Sequence, residues 1–288
     1  MIKTEHLTYT YSEGTPFEKV AVDDVSIEIE KGELVGIIGH TGSGKSTLIQ
    51  HLNGLLKPTS GKIYIDGRDI WESKQVTRET RFKVGLVFQY PEYQIFEETV
   101  YKDIAFGPKN MGLSEEETDR RIHEVARLVG LHEENLMKSP FELSGGQKRR
   151  VAIAGVMAME PEVLILDEPT AGLDPKGRDK ILAQIKEYHK EKGSTVLLVS
   201  HSMEDIAKNA NKILVMNKAK LFCYDDTQKV FKQAEEISKM GLAVPQITRV
   251  FNRLKQAGYF QDKDVYTVEY AKSLLLSYLN GRAGGGDA

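Results

Sequence analysis

The hydrophobic positions of this chain switch between two periods. Val25, Ile27 and Ile29 alternate with Ser26, Glu28 and Glu30, which predicts a half-buried strand. Lys31-Gly32-Glu33 turns the chain into Leu34 to Ile38, a continuous apolar run suited to a buried strand. Lys62 to Ile65 and Val84 to Phe88 read as further strands. From about Thr99 to Met159 the pattern becomes helical, and Ile122, Val125, Ala126 and Val129 keep the i, i+3, i+4, i+7 spacing of an amphipathic helix. Then β and α alternate: strand Val163 to Leu166, helix Lys176 to Lys192, strand Thr195 to Val199, helix Met203 to Asn209, strand Ile213 to Met216. Such alternation predicts a parallel sheet with helices on its faces, here interrupted by a helical insert. From Thr227 a third piece begins. Ile247, Val250, Phe251 and Leu254 predict one helix, with Pro245 near its start, and Ala271, Leu274, Leu275 and Tyr278 predict another. Gly281 to Ala288 is Gly-rich and reads as a flexible tail.

Chemistry concentrates between these elements. Gly39-His40-Thr41-Gly42-Ser43-Gly44-Lys45-Ser46-Thr47 follows a predicted strand and opens a predicted helix. In that setting the pattern is a phosphate-binding loop. Its glycines turn backbone N–H groups towards phosphate oxygens, and the helix N-terminus adds a favourable dipole. Lys45 would reach the β- and γ-phosphates, and the Ser46 hydroxyl would ligate Mg2+. Asp167 ends an apolar strand, so its carboxylate emerges at the sheet edge where ligands of such sheets bind, and it would hold Mg2+ through water. Glu168 is expected to point away from Asp167, as strand neighbours do, and is the candidate base that polarises the attacking water. His201 follows another strand edge, and a γ-phosphate contact is its expected role. Gln89 ends the strand before it, where a side-chain amide can touch both Mg2+ and the attacking water. Tyr11 can stack on adenine, with Tyr9 as competitor. Ser144-Gly145-Gly146-Gln147 precedes a helix rich in Lys148, Arg149 and Arg150 and forms a second anion site. His40, His51, His123, His132 and His189 have no such strand-end context.

Composition narrows the classes. The 39 basic and 42 acidic side chains nearly cancel, which argues against a nucleic-acid protein with a basic stripe. A single cysteine, Cys223, rules out an internal disulfide, fits a reducing compartment, and lies in an apolar stretch as a small packing residue. Met1-Ile2-Lys3-Thr4-Glu5 reads directly into a strand rather than a signal segment. No apolar run approaches the length of a membrane span, so a role in transport would require another chain to form the pore.

The Leu143-Ser144-Gly145-Gly146-Gln147 block, lying between the phosphate loop and Leu164-Ile165-Leu166-Asp167-Glu168, resembles the signature of ATP-binding cassette (ABC) ATPases. The resemblance spans about Ile2 to Asp226. It implies an α/β P-loop ABC nucleotide-binding domain at 1–226. That domain would have a mixed sheet core, an antiparallel β subdomain and a helical subdomain at about 90–160. It also implies a head-to-tail dimer binding two ATPs. Ser144 and Gly146 would then act in trans on the partner's γ-phosphate. Asp174, in Ala171-Gly172-Leu173-Asp174, matches the loop that communicates across the dimer, with Ala171-Gly172 in place of the usual Ser-Ala.

A narrower resemblance covers nearly the whole chain. Tyr90 to Val100, Ala105-Phe106-Gly107-Pro108, Gln147 to Gly155, Gly39-His40-Thr41-Gly42, Thr10 to Phe17 and the tail from Pro245 are similar to the second (A2-type) ATPase component of energy-coupling factor (ECF) transporters. That family energises uptake of vitamins and metal ions in prokaryotes. It implies a peripheral place on the cytoplasmic face of the membrane and a paralogous ABC ATPase subunit, leaving heterodimer and homodimer both open. It further implies a transmembrane coupling protein, a substrate-binding membrane protein and no nucleic acid. Residues 227–280 would form a helical dimerisation domain. The acidic segment Glu92 to Glu98 would line the groove that accepts basic helices of the coupling protein. The alternatives are the ATPase of a conventional ABC importer or exporter, and a soluble ABC ATPase of DNA repair or translation. The latter would carry a long coiled coil or a second cassette, and neither is visible. A non-hydrolysing subunit would lack Glu168, His201 or the signature. A kinase or GTPase would lack the signature, and a GTPase would show an Asn-Lys-x-Asp block.

Overall fold

The computed structural model describes residues 1–261 and 263–283. The N-terminal part comprises β1 (Ile2–Tyr11), β2 (Lys19–Ile29), β3 (Leu34–Ile38), α1 (Lys45–Leu52), β4 (Ser60–Ile65), β5 (Arg68–Asp69), α2 (Lys74–Lys83) and β6 (Val84–Val87). The helical insert contains α3 (Val100–Asn110), α4 (Glu115–Leu128) and α5 (Gly145–Met157). Alternation resumes with β7 (Val163–Asp167), α6 (Pro175–Lys192), β8 (Thr195–Val199), α7 (Met203–Asn209), β9 (Lys212–Asn217) and β10 (Lys220–Asp226). The chain continues through α8 (Thr227–Lys232), α9 (Ala234–Lys239), α10 (Gln246–Gln256) and α11 (Val268–Ala283). The last helix thus takes in the start of the stretch expected as a flexible tail; residues 284–288 lie outside the described residues.

Strands β2-β1-β4-β5 form an antiparallel sheet, and β10-β9-β3-β8-β7-β6 form a mixed one. In the second sheet β9, β3, β8, β7 and β6 run parallel, and β10 adds an antiparallel edge. Their apolar runs are continuous because both faces are covered. Leu34 and Ile38 of β3 face the core shared with the helical insert, α6 and α7, whereas Val35 and Ile37 face the core shared with α1 and the antiparallel sheet. Helices α8 and α9 place Val230, Phe231 and Ile237 in the first of these cores. Phe251, Val265 and Ala271 form a small separate cluster with Ile247 and Leu254 packed against it. Val250 and Leu275, expected on the same buried stripes, are exposed instead, at 50% and 37%. Both fall at the margin of a narrow stripe: Arg253 and Lys272, three residues away on one side, are exposed.

The strand order explains why distant segments meet. β3, β8 and β7 are adjacent, with Ile37 paired to Val199 and Val199 to Asp167. The loops after all three therefore leave one edge of the sheet side by side. Helix α7 seats closely on β3 because Gly36 has no side chain; a Cβ there would fall 2.6 Å from Ile206 Cγ2. Gly36→Val should overpack this contact and cost about 1–3 kcal/mol, read as a lower urea midpoint. A parental midpoint would show that α7 is not seated on β3.

Candidate functional site

A cleft of about 290 Å3 opens at this sheet edge. It is bordered by Thr41, Gly42, Gly44, Lys45, Ser46 and Thr47 of the phosphate loop, together with Tyr11, Gln89, Asp167, Glu168 and His201. The loop's path depends on its glycines. Gly44 has φ 102°, and a side chain there would collide with the Ala21 carbonyl. Ser43 is fully buried and its Oγ has no hydrogen-bond partner. Lys45 donates from Nζ to the carbonyls of Gly39 at 2.7 Å and His40 at 3.2 Å, so the ammonium is tied back across its own loop. Burial lowers its pKa, and the Glu168 and Asp167 carboxylates oppose that shift. His40 turns its ring Nδ1 onto the Thr41 carbonyl, 2.8 Å away.

Ser46 Oγ donates to Asp167 Oδ2 at 3.0 Å. Burial pushes the Asp167 carboxyl up, while Ser46 and Lys45 pull it down. Glu168 departs from the expected geometry. β7 ends at Asp167, and Glu168 takes a left-handed backbone (φ 52°), with its N–H donating to the Val199 carbonyl. Strand alternation therefore does not apply, and both carboxylates border the same cleft. Glu168 Oε1 has no hydrogen-bond partner and lies 3.4 Å from His201 Nε2. Burial raises the Glu168 carboxyl to about 7; the His201 backbone opposes the shift and the Asp167 charge adds to it. Burial also lowers the His201 pKa, with Lys45 acting in the same direction. Burial thus favours the uncharged form of both the His201 imidazole and the Glu168 carboxyl beside it. The oxygen donors of Ser46 and Asp167, at hydrogen-bonding distance on the rim of a phosphate-sized cleft, suit a hard divalent cation such as Mg2+.

Tyr11 and Tyr9 separate cleanly. Tyr9 packs against the core and meets His51 edge-on at 4.7 Å, whereas Tyr11 is 39% exposed and borders the cleft. His51 is fully buried, with Nδ1 on the Thr47 carbonyl, and is a packing residue. Cys223 is half-buried, and burial pushes its thiol up to about 11, so it offers no thiolate. Lys19 and Ala21 of β2 also border the cleft. The sequence reading began that strand at Val25 and passed over them; the apolar Val20 and Val22 around Ala21 were the available signal.

Ser144, Gly145, Gly146, Gln147 and Asp174 do not border this cleft. Ser144 caps α5: its Oγ accepts from the Gln147 N–H at 3.3 Å, and the Ser144 N–H donates to Gln147 Oε1 at 2.9 Å. The Gly145 and Gly146 N–H groups, in the first turn, have no intrahelical acceptor. Asp174 caps α6 by accepting from the Gly177 N–H at 2.8 Å. The anion-ready helix start at Ser144 therefore lies outside the lining of this cleft.

Arg149, on α5, connects these parts, a role the sequence reading missed. It is 4% exposed and grips Glu92 with two bonds, Nε to Oε2 at 3.0 Å and Nη2 to Oε1 at 2.8 Å. Its Nη1 donates to the Ala171 carbonyl. Glu92 sits on the short turn Pro91–Gln94, just after Gln89. Burial alone would raise the Glu92 carboxyl, but Arg149 outweighs it and holds it below its usual range. Glu92 is thus turned inward and belongs to this pair, not to an open acidic groove as the sequence suggested.

The comparisons agree with a P-loop ATPase cassette. The ABC transporter family profile matches residues 22–171, and the profile described as "AAA domain, putative AbiEii toxin, Type IV TA system" matches 138–207. The Energy-coupling factor transporter ATP-binding protein EcfA2 of Clostridium tetani is 59% identical over 283 residues, covering 98% of each chain. Its counterpart in Clostridium acetobutylicum is 60% identical over 279 residues, 96% of this chain and 98% of that one. A solved structure of cbiO1 from Clostridium perfringens, part of the ABC transporter complex cbiONQ, superposes with TM-score 0.73 at 40% identity, covering 87% of this chain and 98% of that one. The cassette MJ0796, solved as a post-hydrolysis dimer bound to ADP and Pi, gives 0.71 at 30% identity, covering 79% and 99%. This chain belongs to the ABC transporter ATPases and, within them, to the family of energy-coupling factor transporter ATP-binding proteins. It is an ATP-binding ATPase.

Two outcomes follow. Glu92→Ala strands the Arg149 charge in the interior and should cost about 3–5 kcal/mol in urea unfolding; a loss below about 1 kcal/mol would show that Arg149 relaxes to solvent. A folded carboxyl raised to about 7 stabilises the fold below its unfolded value and loses that contribution as pH climbs through about 7. Glu168→Gln should therefore raise the Tm at pH 8.5 and leave it nearly unchanged at pH 5; the reverse order would mean the carboxylate is stabilised in the fold.

Proposed function

We propose that this chain is one of two ATPase subunits of an energy-coupling factor transporter, powering uptake of vitamins or metal ions through membrane partners. The observation that carries the reading is the separation of the cleft from the Ser144-Gly145-Gly146-Gln147 helix start. One chain supplies half of each of two composite sites, so a second ATPase must complete them. Identity to the EcfA2 proteins over nearly the whole length supports a paralogous partner, a transmembrane coupling protein and a substrate-binding membrane protein.

Lys45 and the loop N–H groups from Gly39 to Thr47 hold the β- and γ-phosphates, and Tyr11 stacks on adenine. Ser46 and Asp167, with Gln89, hold Mg2+, which offsets phosphate charge when bound. Glu168 accepts a proton from water, and His201 contacts the γ-phosphate and holds the Glu168 carboxylate in place. Ser144 to Gln147 act on the partner's nucleotide, and Asp174 meets the partner beside it. Residues 1–226 are the ATPase domain, 90–160 its helical subdomain, and 227–280 the dimerisation domain.

An apolar groove of about 310 Å3 beside the Gln89 turn fits the coupling protein. Phe96 and Phe106 meet edge-on at 4.9 Å and stand exposed on it, and Asp103 is its acidic lining residue in place of Glu92. Among the described residues no helix is long and apolar enough to cross a membrane. The chain sits peripherally on the cytoplasmic face, bound through this groove.

Glu168→Gln should lower ATP hydrolysis by roughly 10²–10⁴-fold while ATP binding persists. Hydrolysis at the parental rate would remove Glu168 from the role of base. Phe106→Glu should release the chain from detergent-solubilised membranes of its host; full retention would move the docking surface elsewhere.

A further inference from the structure

The loop from Glu168 to Asp174 leads into α6, and the His201 loop leads into α7. These helices meet along a seam. Lys186 Nζ donates to the Lys208 carbonyl at 3.3 Å, and Lys208 Nζ lies 3.8 Å from Asp179 at an exposed edge. The buried contact of the seam is different. Asp205 is 7% exposed, and its Oδ2 has no hydrogen-bond partner. The nearest cation is Arg178, a partly exposed side chain whose Nε lies 3.8 Å away and has no hydrogen-bond partner. A buried carboxylate thus faces a partly exposed guanidinium across a gap too long for a hydrogen bond. The cost of the gap falls on the buried carboxylate, and closing it by less than an ångström would give Asp205 Oδ2 a charge-assisted hydrogen bond.

Both ends of the gap are tied to the chemistry. Arg178 stands one helical turn after Asp174, and its N–H donates to the Asp174 carbonyl. Asp205 stands one turn after His201. Its N–H donates to Ser202 Oγ, and the Ser202 N–H donates to Ser200 Oγ, so the His201 loop is bracketed by the same short helix. Seating of α7 on Gly36 keeps this helix close to β3. The Asp205 charge is felt at Glu168, where it adds to the rise of that carboxyl.

We infer that Arg178 and Asp205 are positioning residues for hydrolysis, whose closure draws α7 towards α6 and seats His201 against Glu168 when the Asp174 loop is engaged. The inference rests on the roles given above to His201, Glu168 and Asp174. Nothing in it requires either residue to touch nucleotide. The pair would let the loop facing the partner subunit set the geometry of the His201 loop in the same chain.

The test uses the assembled transporter carrying substitutions in this chain. Asp205→Asn and Arg178→Gln should each lower kcat by roughly 5- to 30-fold, with KM and the Kd for trinitrophenyl-ATP unchanged. The double variant should be no slower than the slower single one, because both remove the same contact. Asp205→Glu, which keeps the charge and extends its reach, should recover much of the rate lost by Asp205→Asn. His201→Ala is measured alongside. If His201→Ala hydrolyses at the parental rate, the reading of the site fails. If His201→Ala loses rate while Arg178→Gln and Asp205→Asn keep theirs, the positioning proposal alone is overturned. Losses that multiply in the double variant, or that follow Tm and trinitrophenyl-ATP affinity downwards together, would equally overturn it.

Discussion

One ammonium and two carboxylates buried at the same sheet edge set the terms for this molecule. Lys45, Asp167 and Glu168 are each less than a tenth exposed. Their charges do not balance among themselves, and burial moves every one of them towards its neutral form. Such a cluster is stable only inside a rigid frame, and its charges suit ligands of the opposite character: a polyphosphate for the lysine and a hard cation for the carboxylates. The adjacent β3, β8 and β7 supply the frame. The glycines of the phosphate loop allow the backbone to close over the lysine, and the left-handed turn at Glu168 swings the second carboxylate in beside the first.

Much of this was legible in the sequence because the signals were local. The apolar runs at 34–38, 163–166 and 195–199 predicted three parallel strands, and each is a strand of the mixed sheet. The phosphate loop, Gln89, Asp167, Glu168 and His201 stand out by local motif and strand-end position, and residues of all five meet at one cleft. The misses have physical causes. The direction of Glu168 was misjudged because a strand rule was applied one residue past the strand's end. Glu92 looked like one charge of an acidic run, and only packing reveals that a buried arginine 57 residues away claims it. Val250 and Leu275 show the limit of helical spacing, which does not tell the centre of a stripe from its margin.

Two arginines give the account its connectivity. Arg149 binds the turn after Gln89 to the carbonyls that follow Glu168, so the groove beside Phe96 and the catalytic loop share one anchor. Arg178 faces the helix that carries the His201 loop. The loop from Glu168 to Asp174 is held between them. Movement at the Phe96 groove or at the Asp174 loop would therefore reach the same few residues. That arrangement fits an ATPase whose product is motion in other chains.

The central claim is that this chain binds one nucleotide in its own cleft and acts through Ser144 on another. The most direct measurement is photolabelling with 8-azido-ATP of a complete transporter carrying Ser144→Arg in this chain, together with its rate of hydrolysis. The account predicts that this chain is still labelled while hydrolysis by the assembly falls severely. Loss of label from this chain, with the partner's label and hydrolysis intact, would mean that both elements serve one nucleotide and would contradict it.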